Sequence, residues 1–222
     1  MITHTQENGA HILVLDDGKV NALNKEKLDG LVAKLAECAG DFAPVVIRGR
    51  KGIFSAGFDL KGFGAGPEIA TAQLQAGKDA ILAILRHPAP VVTLCEGHAY
   101  PMGAFLMLAS DRAIGTDGEF ITGMNESAIG MALPIYPMIL GAARLNSTGR
   151  KAVATSQMFT PHEAREVGYF DHVAAAEDVD ALLAKILGEL KALNMGAFGA
   201  NKAAMNAQLI ADIEASPLPD FG

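Results

Sequence analysis

The 222-residue chain predicts an α/β architecture: strands and helices alternate to about residue 175, and a short all-helical tail follows. Two β-branched runs of the same design, Pro44-Val-Val-Ile47 ending in Gly49 and Pro90-Val-Val-Thr-Leu94 ending in Gly97, flank a stretch with helical spacing. Beyond residue 175 the apolar residues fall on helical stripes only. The chain is 50% hydrophobic and 19% charged, which excludes disorder and suffices for one buried core.

Taken in order, Ile12-Leu-Val-Leu15 reads as a strand that enters the turn Asp16-Asp17-Gly18. Asn24 is an N-cap for a helix to Ala39, on which Leu28, Leu31, Val32, Leu35 and Ala39 recur. Gly62-Phe-Gly-Ala-Gly66 reads as a flexible loop, because its spacing is not that of a dinucleotide turn and no strand precedes it. A helix from about Ala70 to Arg86 presents Ile81, Leu82, Ile84 and Leu85. Further helix is expected from Gly103 to Ser110, an extended piece from Arg112 to Thr116, and glycine-rich irregular chain to Gly130. Thr160-Pro-His-Glu163 is a capping box with proline at the first helical position. Val179, Leu182, Leu183, Ile186, Leu187 and Leu190 form one tail helix and Ala197 to Ile213 a second, with Ser216-Pro-Leu-Pro219 expected to end the order. Residues 1–175 thus form the core unit and 176–222 the helical segment.

With 18 basic and 25 acidic residues the formal charge is −7, so no nucleic-acid partner is expected. No uninterrupted apolar run reaches eighteen residues and the first residues lack a leader pattern, so no membrane partner is expected and the protein reads as cytoplasmic. Cys38 and Cys95 read as reduced thiols in core positions. No phosphate-binding P-loop occurs, and Ser55 in Gly52-Ile-Phe-Ser-Ala-Gly57 misses nucleophile-elbow spacing by one residue. The six histidines show neither close pairing nor cysteine partners at ligand spacing, so no metal is expected. His98 reads as a hydrogen-bonded structural residue. Arg48, Arg50, Lys51 and Lys61 bracket the Phe54–Phe58 turn, either as a solvated loop or as a basic rim for a phosphorylated ligand.

Several segments together carry a resemblance: Asn21-Ala-Leu-Asn24, Gly52-Ile-Phe-Ser-Ala-Gly-Phe-Asp-Leu60, Glu96-Gly-His-Ala-Tyr-Pro-Met-Gly-Ala104 with Ala109-Ser-Asp111, Glu126-Ser-Ala-Ile-Gly130 with Leu133-Pro134, and Phe159-Thr-Pro-His-Glu-Ala164 with Val167-Gly168. In this order the chain resembles the crotonase (enoyl-CoA hydratase/isomerase) superfamily over nearly its whole length. The resemblance implies a crotonase-like spiral of repeated ββα units, closed by C-terminal helices that assemble homotrimers or dimers of trimers. It implies an acyl-CoA thioester substrate and no separate cofactor, coenzyme A being part of the substrate. Ser55, Ala56, Arg50, Lys61 and Lys202 would contact the CoA moiety, and Phe105, Met102 and Tyr136 would line the acyl pocket.

By the same resemblance the backbone N–H groups of Phe58 and Met102 form an oxyanion hole, and Glu126 is the catalytic carboxylate. Met102 and Pro101 stand where relatives usually carry glycine, and Phe105 stands where hydratases carry a first glutamate. Hydration calls on two carboxylates, whereas a double-bond shift needs one base. The expected activity is therefore Δ3,Δ2-enoyl-CoA isomerisation by Glu126 through a stabilised enolate. The alternatives are a hydratase that works with one glutamate, aided by Asn125, His98 or Tyr136, and a non-catalytic acyl-CoA binder.

Overall fold

A computed structural model describes residues 2–220. Its main sheet has six strands: β1 (Ile2–Glu7), β2 (Ala10–Leu15), β3 (Val45–Arg48), β5 (Val91–Cys95), β7 (Arg112–Thr116) and β8 (His172–Ala174), adjacent in that order. All neighbours are parallel except β1, which pairs antiparallel with β2. A second, two-stranded parallel sheet joins β4 (Gly52–Ser55) to β6 (Gly97–Ala99). Strand β1 was not foreseen, because His4, Gln6 and their exposed neighbours carry no apolar alternation.

The inner strands β2, β3 and β5 are largely apolar because both sheet faces are covered there. Leu13, Leu15, Val45, Ile47 and Val91 point into the larger core, beneath α1 (Lys25–Glu37), α3 (Pro67–Arg86) and α4 (Pro101–Ala109). Their alternates Ile12, Val46, Val92, Leu94 and Ile114 meet Val179, Leu183, Ile186, Leu187 and Leu190 of α8 (Val179–Lys191). The final helix α9 (Met195–Ala215) packs on α3 and on α5 (Ile135–Arg144). No helix among the described residues is long and apolar enough to cross a membrane.

Local signals account for most boundaries. Asn24 accepts a hydrogen bond from the Lys27 N–H at the start of α1. The Glu163 carboxylate accepts from both the N–H and the hydroxyl of Thr160 at the start of α7 (Pro161–Val167). Helix α4 begins two residues before the expected Gly103, with Pro101 in its first turn.

One expectation is corrected, and two regions hold more structure than was expected from the sequence. The Gly62–Gly66 segment is not a loop throughout: α2 (Leu60–Gly64) forms there, capped by the Asp59 side chain. Residues 131–160 hold α5 and α6 (Ser147–Thr155), whose short apolar stripes were not recognised. The last helix stops at Ala215, just before Ser216-Pro-Leu-Pro219, and that segment is itself packed. Lys78, buried in α3, donates to the carbonyls of Glu214 and Ser216, and Leu218 packs on the core.

The two strands of the small sheet meet through a glycine. A Cβ built on Gly97 would lie 2.1 Å from the Gly52 carbonyl carbon, a backbone atom that cannot move aside, whereas one on Gly188 meets nothing within 4 Å. Gly97→Ala is expected to destabilise the fold by about 3 kcal/mol, and Gly188→Ala to stabilise it by up to about 1 kcal/mol. Denaturant unfolding of the two variants checks this pair, and equal stability would contradict the packing.

Candidate active site

Parallel pairing of β4 with β6 delivers two turns side by side, residues 56–58 and 100–102. The Tyr100 N–H donates to the Ser55 carbonyl, and a Cβ on Gly57 would sit 3.5 Å from the Pro101 nitrogen. Gly57 has φ +87°, a conformation that favours glycine, which explains the Ala-Gly-Phe turn. In the first turn the N–H groups around Phe58 are spent: Ala56 on Val20, Gly57 on the Ser55 hydroxyl and Asp59 on Leu23. The Phe58 N–H has no such partner among the described residues. In the second turn Pro101 has no N–H, and the first α4 bond runs from Ala104 to Tyr100. That leaves the Met102 N–H as an unpaired donor at a helix amino end, where the dipole favours negative charge.

Glu126 lies on a loop tethered to β6, the strand that leads into the second turn. Ala99 of β6 bridges to Thr122, and Gly123 donates to the Ala99 carbonyl. The loop then closes in one 3-10 turn at Ser127–Ile129, with Met131 donating to the Glu126 carbonyl and Gly130 in the left-handed region at φ +73°. Glu126 is buried, and burial raises its carboxyl to about 7, only partly opposed by a hydrogen bond to its own backbone. Its charge in turn pushes up the phenols of Tyr136 and Tyr169, for which burial is the larger cause.

Met102, Phe105 and Tyr136 are all fully buried. Tyr136 Oη is one of two buried side-chain polar atoms among the described residues that lack a hydrogen-bond partner. Phe58 and Tyr136 converge on Gly77 of α3: a Cβ there would lie 2.5 Å from Phe58 Cζ and 3.0 Å from Tyr136 Oη. Gly77 and Gln73, whose amide donates to the Asp59 carbonyl, support the first turn, and the sequence reading missed both. The available signal was a glycine and a glutamine on the inner face of an otherwise apolar helix.

The residues expected at the CoA end are placed unevenly. Ala56 is half-buried beside the turn, and Lys61 is exposed. Arg50 is exposed and donates to the Lys19 carbonyl, 3.9 Å from Asp16. Ser55 is fully buried, its hydroxyl donating to Asn21 and accepting from Gly57, so its side chain holds the turn and does not face a ligand. Arg48 leaves the basic rim to pair with buried Glu96. Lys202 is not at this end: it pairs at 2.6 Å with Asp111, just past the last residue of nine-residue α4, about 13 Å from the helix start. There it borders a cleft of about 620 Å³ shared with Arg144, Asp171 and Asn206. His98 accepts from the Ile121 N–H as a structural residue, and both cysteines are free thiols. Away from this site, and against the reading of the histidines, His4, His11 and Cys38 come together.

The arrangement offers two adjacent backbone donors and one buried carboxyl whose value lies near neutrality. A family model described as enoyl-CoA hydratase/isomerase matches residues 5–216. Among solved structures, an enoyl-CoA hydratase/isomerase family protein from Pseudomonas syringae superposes with TM-score 0.95 at 31% identity, covering 97% of this chain and 94% of that one. An enoyl-CoA isomerase from Mycobacterium tuberculosis does so with TM-score 0.90 at 30% identity, over 96% and 94%. A rat relative, enoyl-CoA hydratase domain-containing protein 3, mitochondrial, is 25% identical over 95% of this chain and 71% of its own length.

Folded Glu126 binds more protons than it does unfolded between about pH 4.5 and about 7. Stability therefore falls as pH rises through that window, and the full cost is present above it. Glu126→Gln is expected to raise the Tm at about pH 8, by an amount worth on the order of 2 kcal/mol, and to leave it unchanged at about pH 4. Equal Tm shifts at the two pH values would mean that the carboxylate is well solvated.

Proposed function

Since this chain belongs to the enoyl-CoA hydratase/isomerase family, we propose that it is a Δ3,Δ2-enoyl-CoA isomerase with a single carboxylate base. The observation that carries this reading is the pairing of Glu126, buried and held near neutral pH, with an apolar Phe105 on α4. The similarity to the mycobacterial enoyl-CoA isomerase supports it.

In this mechanism the thioester oxygen of a 3-enoyl-CoA accepts hydrogen bonds from the Phe58 and Met102 N–H groups. The Glu126 carboxylate removes a proton from C2, and the electron pair spreads over a dienolate whose oxygen carries the charge. Two fixed donors in a site screened from water stabilise that oxyanion by several kcal/mol without reorganising. The carboxylic acid so formed returns the proton to C4, which gives the conjugated 2-enoyl-CoA and restores the carboxylate. A carboxyl that titrates near neutrality suits both halves of this transfer. Phe105 and Met102 narrow the acyl pocket and leave no second acid to activate water. On the CoA side, Arg50 and Lys61 supply the exposed cations for phosphate and Ala56 the adjacent backbone. Assembly as a homotrimer belongs to the same reading.

The test is the absorbance of the conjugated enoyl thioester. A rise with 3-enoyl-CoA and no change with 2-enoyl-CoA in water is expected; a fall with the second would establish hydration and overturn the one-base assignment. Glu126→Gln is expected to lower kcat by about 10²- to 10⁴-fold while acyl-CoA binding persists, and loss of neither would overturn Glu126 as the base. Phe105→Leu is expected to raise kcat/KM for long acyl chains relative to short ones. An unchanged ratio would show that Phe105 does not bound the pocket.

A further inference from the structure

At the amino ends of the parallel strands, away from the turns that carry the proposed chemistry, three side chains from distant parts of the sequence converge. In the β1–β2 register His4 faces Leu13 and Gln6 faces His11, so His4 and His11 are diagonal neighbours on one face of the ribbon. That face meets the C-terminal end of α1, where Cys38 is the capping residue. His4 Nε2 lies 2.9 Å from His11 Nδ1 and 3.7 Å from Cys38 Sγ, and the three atoms all lie within 4.8 Å of one another.

We propose that His4, His11 and Cys38 form a zinc-binding site. Zinc–nitrogen bonds of about 2.0 Å and zinc–sulfur bonds of about 2.3 Å imply tetrahedral edges of about 3.3 Å between nitrogens and about 3.5 Å from nitrogen to sulfur. The two edges at His4 need adjustments of a few tenths of an ångström, and the third, from His11 Nδ1 to Cys38 Sγ, closes from within 4.8 Å as the helix end and the ribbon approach. His11 is prepared for ligation: its Nε2 lies 3.0 and 3.1 Å from the two Asp41 oxygens, which fixes the proton on Nε2 and turns the Nδ1 lone pair toward His4. A carboxylate behind the far nitrogen of a ligating imidazole is the usual support of such sites. Without metal, that lone pair accepts from His4 Nε2 and from the Gln6 amide at 3.2 Å.

Ligation moves the His4 proton from Nε2 to Nδ1 and releases the Cys38 thiol proton, one proton per metal ion when both imidazoles are neutral. The surroundings favour a cation. Asp41 and Glu37 flank Cys38 and only Lys34 opposes them, while the end of α1 contributes its negative dipole. One thiolate with two imidazoles selects zinc over magnesium or calcium. Water completes the tetrahedron from the exposed side of β1, where Gln6 and half-buried His4 border solvent. The ion would pin an edge strand to the helix beneath it.

The test uses the full chain stripped of metal by chelation and then titrated with cobalt(II), followed by displacement with zinc. One equivalent is expected, with a near-ultraviolet thiolate-to-cobalt absorption that zinc abolishes, and zinc should raise the Tm. His4→Gln and Cys38→Ser should each remove the absorption and weaken zinc binding by about 100-fold, and Asp41→Asn by about 10-fold. Cys95→Ser, which alters the other buried thiol, should leave the site intact. His4 is half-buried, so its variant should fold and keep wild-type turnover on enoyl-CoA. A cobalt spectrum without the thiolate band, or zinc affinity equal in the wild type and the His4→Gln variant, would overturn the proposal.

Discussion

Parallel pairing of β4 with β6 is the constraint that positions everything near Glu126. It holds only because Gly97, without a side chain, lets the two backbones approach more closely than any Cβ permits. With those strands in register, the turn after each emerges beside the other, and the Phe58 and Met102 N–H groups are left without a backbone partner among the described residues. The same short sheet carries the third component, because Ala99 also bridges to Thr122 at the root of the Glu126 loop. Three segments separated widely in sequence thus take their places from one pair of three- and four-residue strands.

The rest of the molecule serves to keep that small sheet dry and fixed. The six-stranded sheet buries both faces, one under α1, α3 and α4 and the other under α8, so the C-terminal helices complete a core. Burial has a cost at the site itself. A carboxyl in apolar surroundings with no cationic partner weakens the fold whenever it is ionised, and Glu126 is in that position. Here stability and reactivity oppose each other at a single residue.

Legibility in the sequence followed the range of the interactions. Strands β2, β3, β5 and β7 and helices α1, α3, α7 and α8 were readable because caps, periodicity and flanking glycines act within a few residues. Strand β1 was not, since an edge strand with His4 and Gln6 on its inner face and Thr3, Thr5 and Glu7 exposed shows no apolar pattern. At the site, the two turns and Glu126 were recognisable as motifs, but Gly77 and Gln73 act across the fold, on Phe58 and Asp59, and left only weak local marks. The placement of Lys202 was misjudged for a related reason. A lone lysine on an otherwise apolar helix reads as available, and only the tertiary structure reveals Asp111 against it. The His4, His11 and Cys38 group illustrates the limit most sharply, because strand register and a helix end bring together residues whose spacing matches no ligand motif.

Lys78 shows how the chain's end bears on its centre. Its ammonium is buried in α3 and bonded to two carbonyls that belong to the last turn of α9 and the residue after it. Those oxygens stand in for water, so stripping away the terminal segment would leave a positive charge in apolar surroundings. Such a group sheds its proton or drags solvent inward, and Lys78 directly follows Gly77, the residue against which Phe58 rests. Shortening or refitting the carboxyl terminus would therefore be felt as a loosened helix behind the turn that carries the Phe58 N–H.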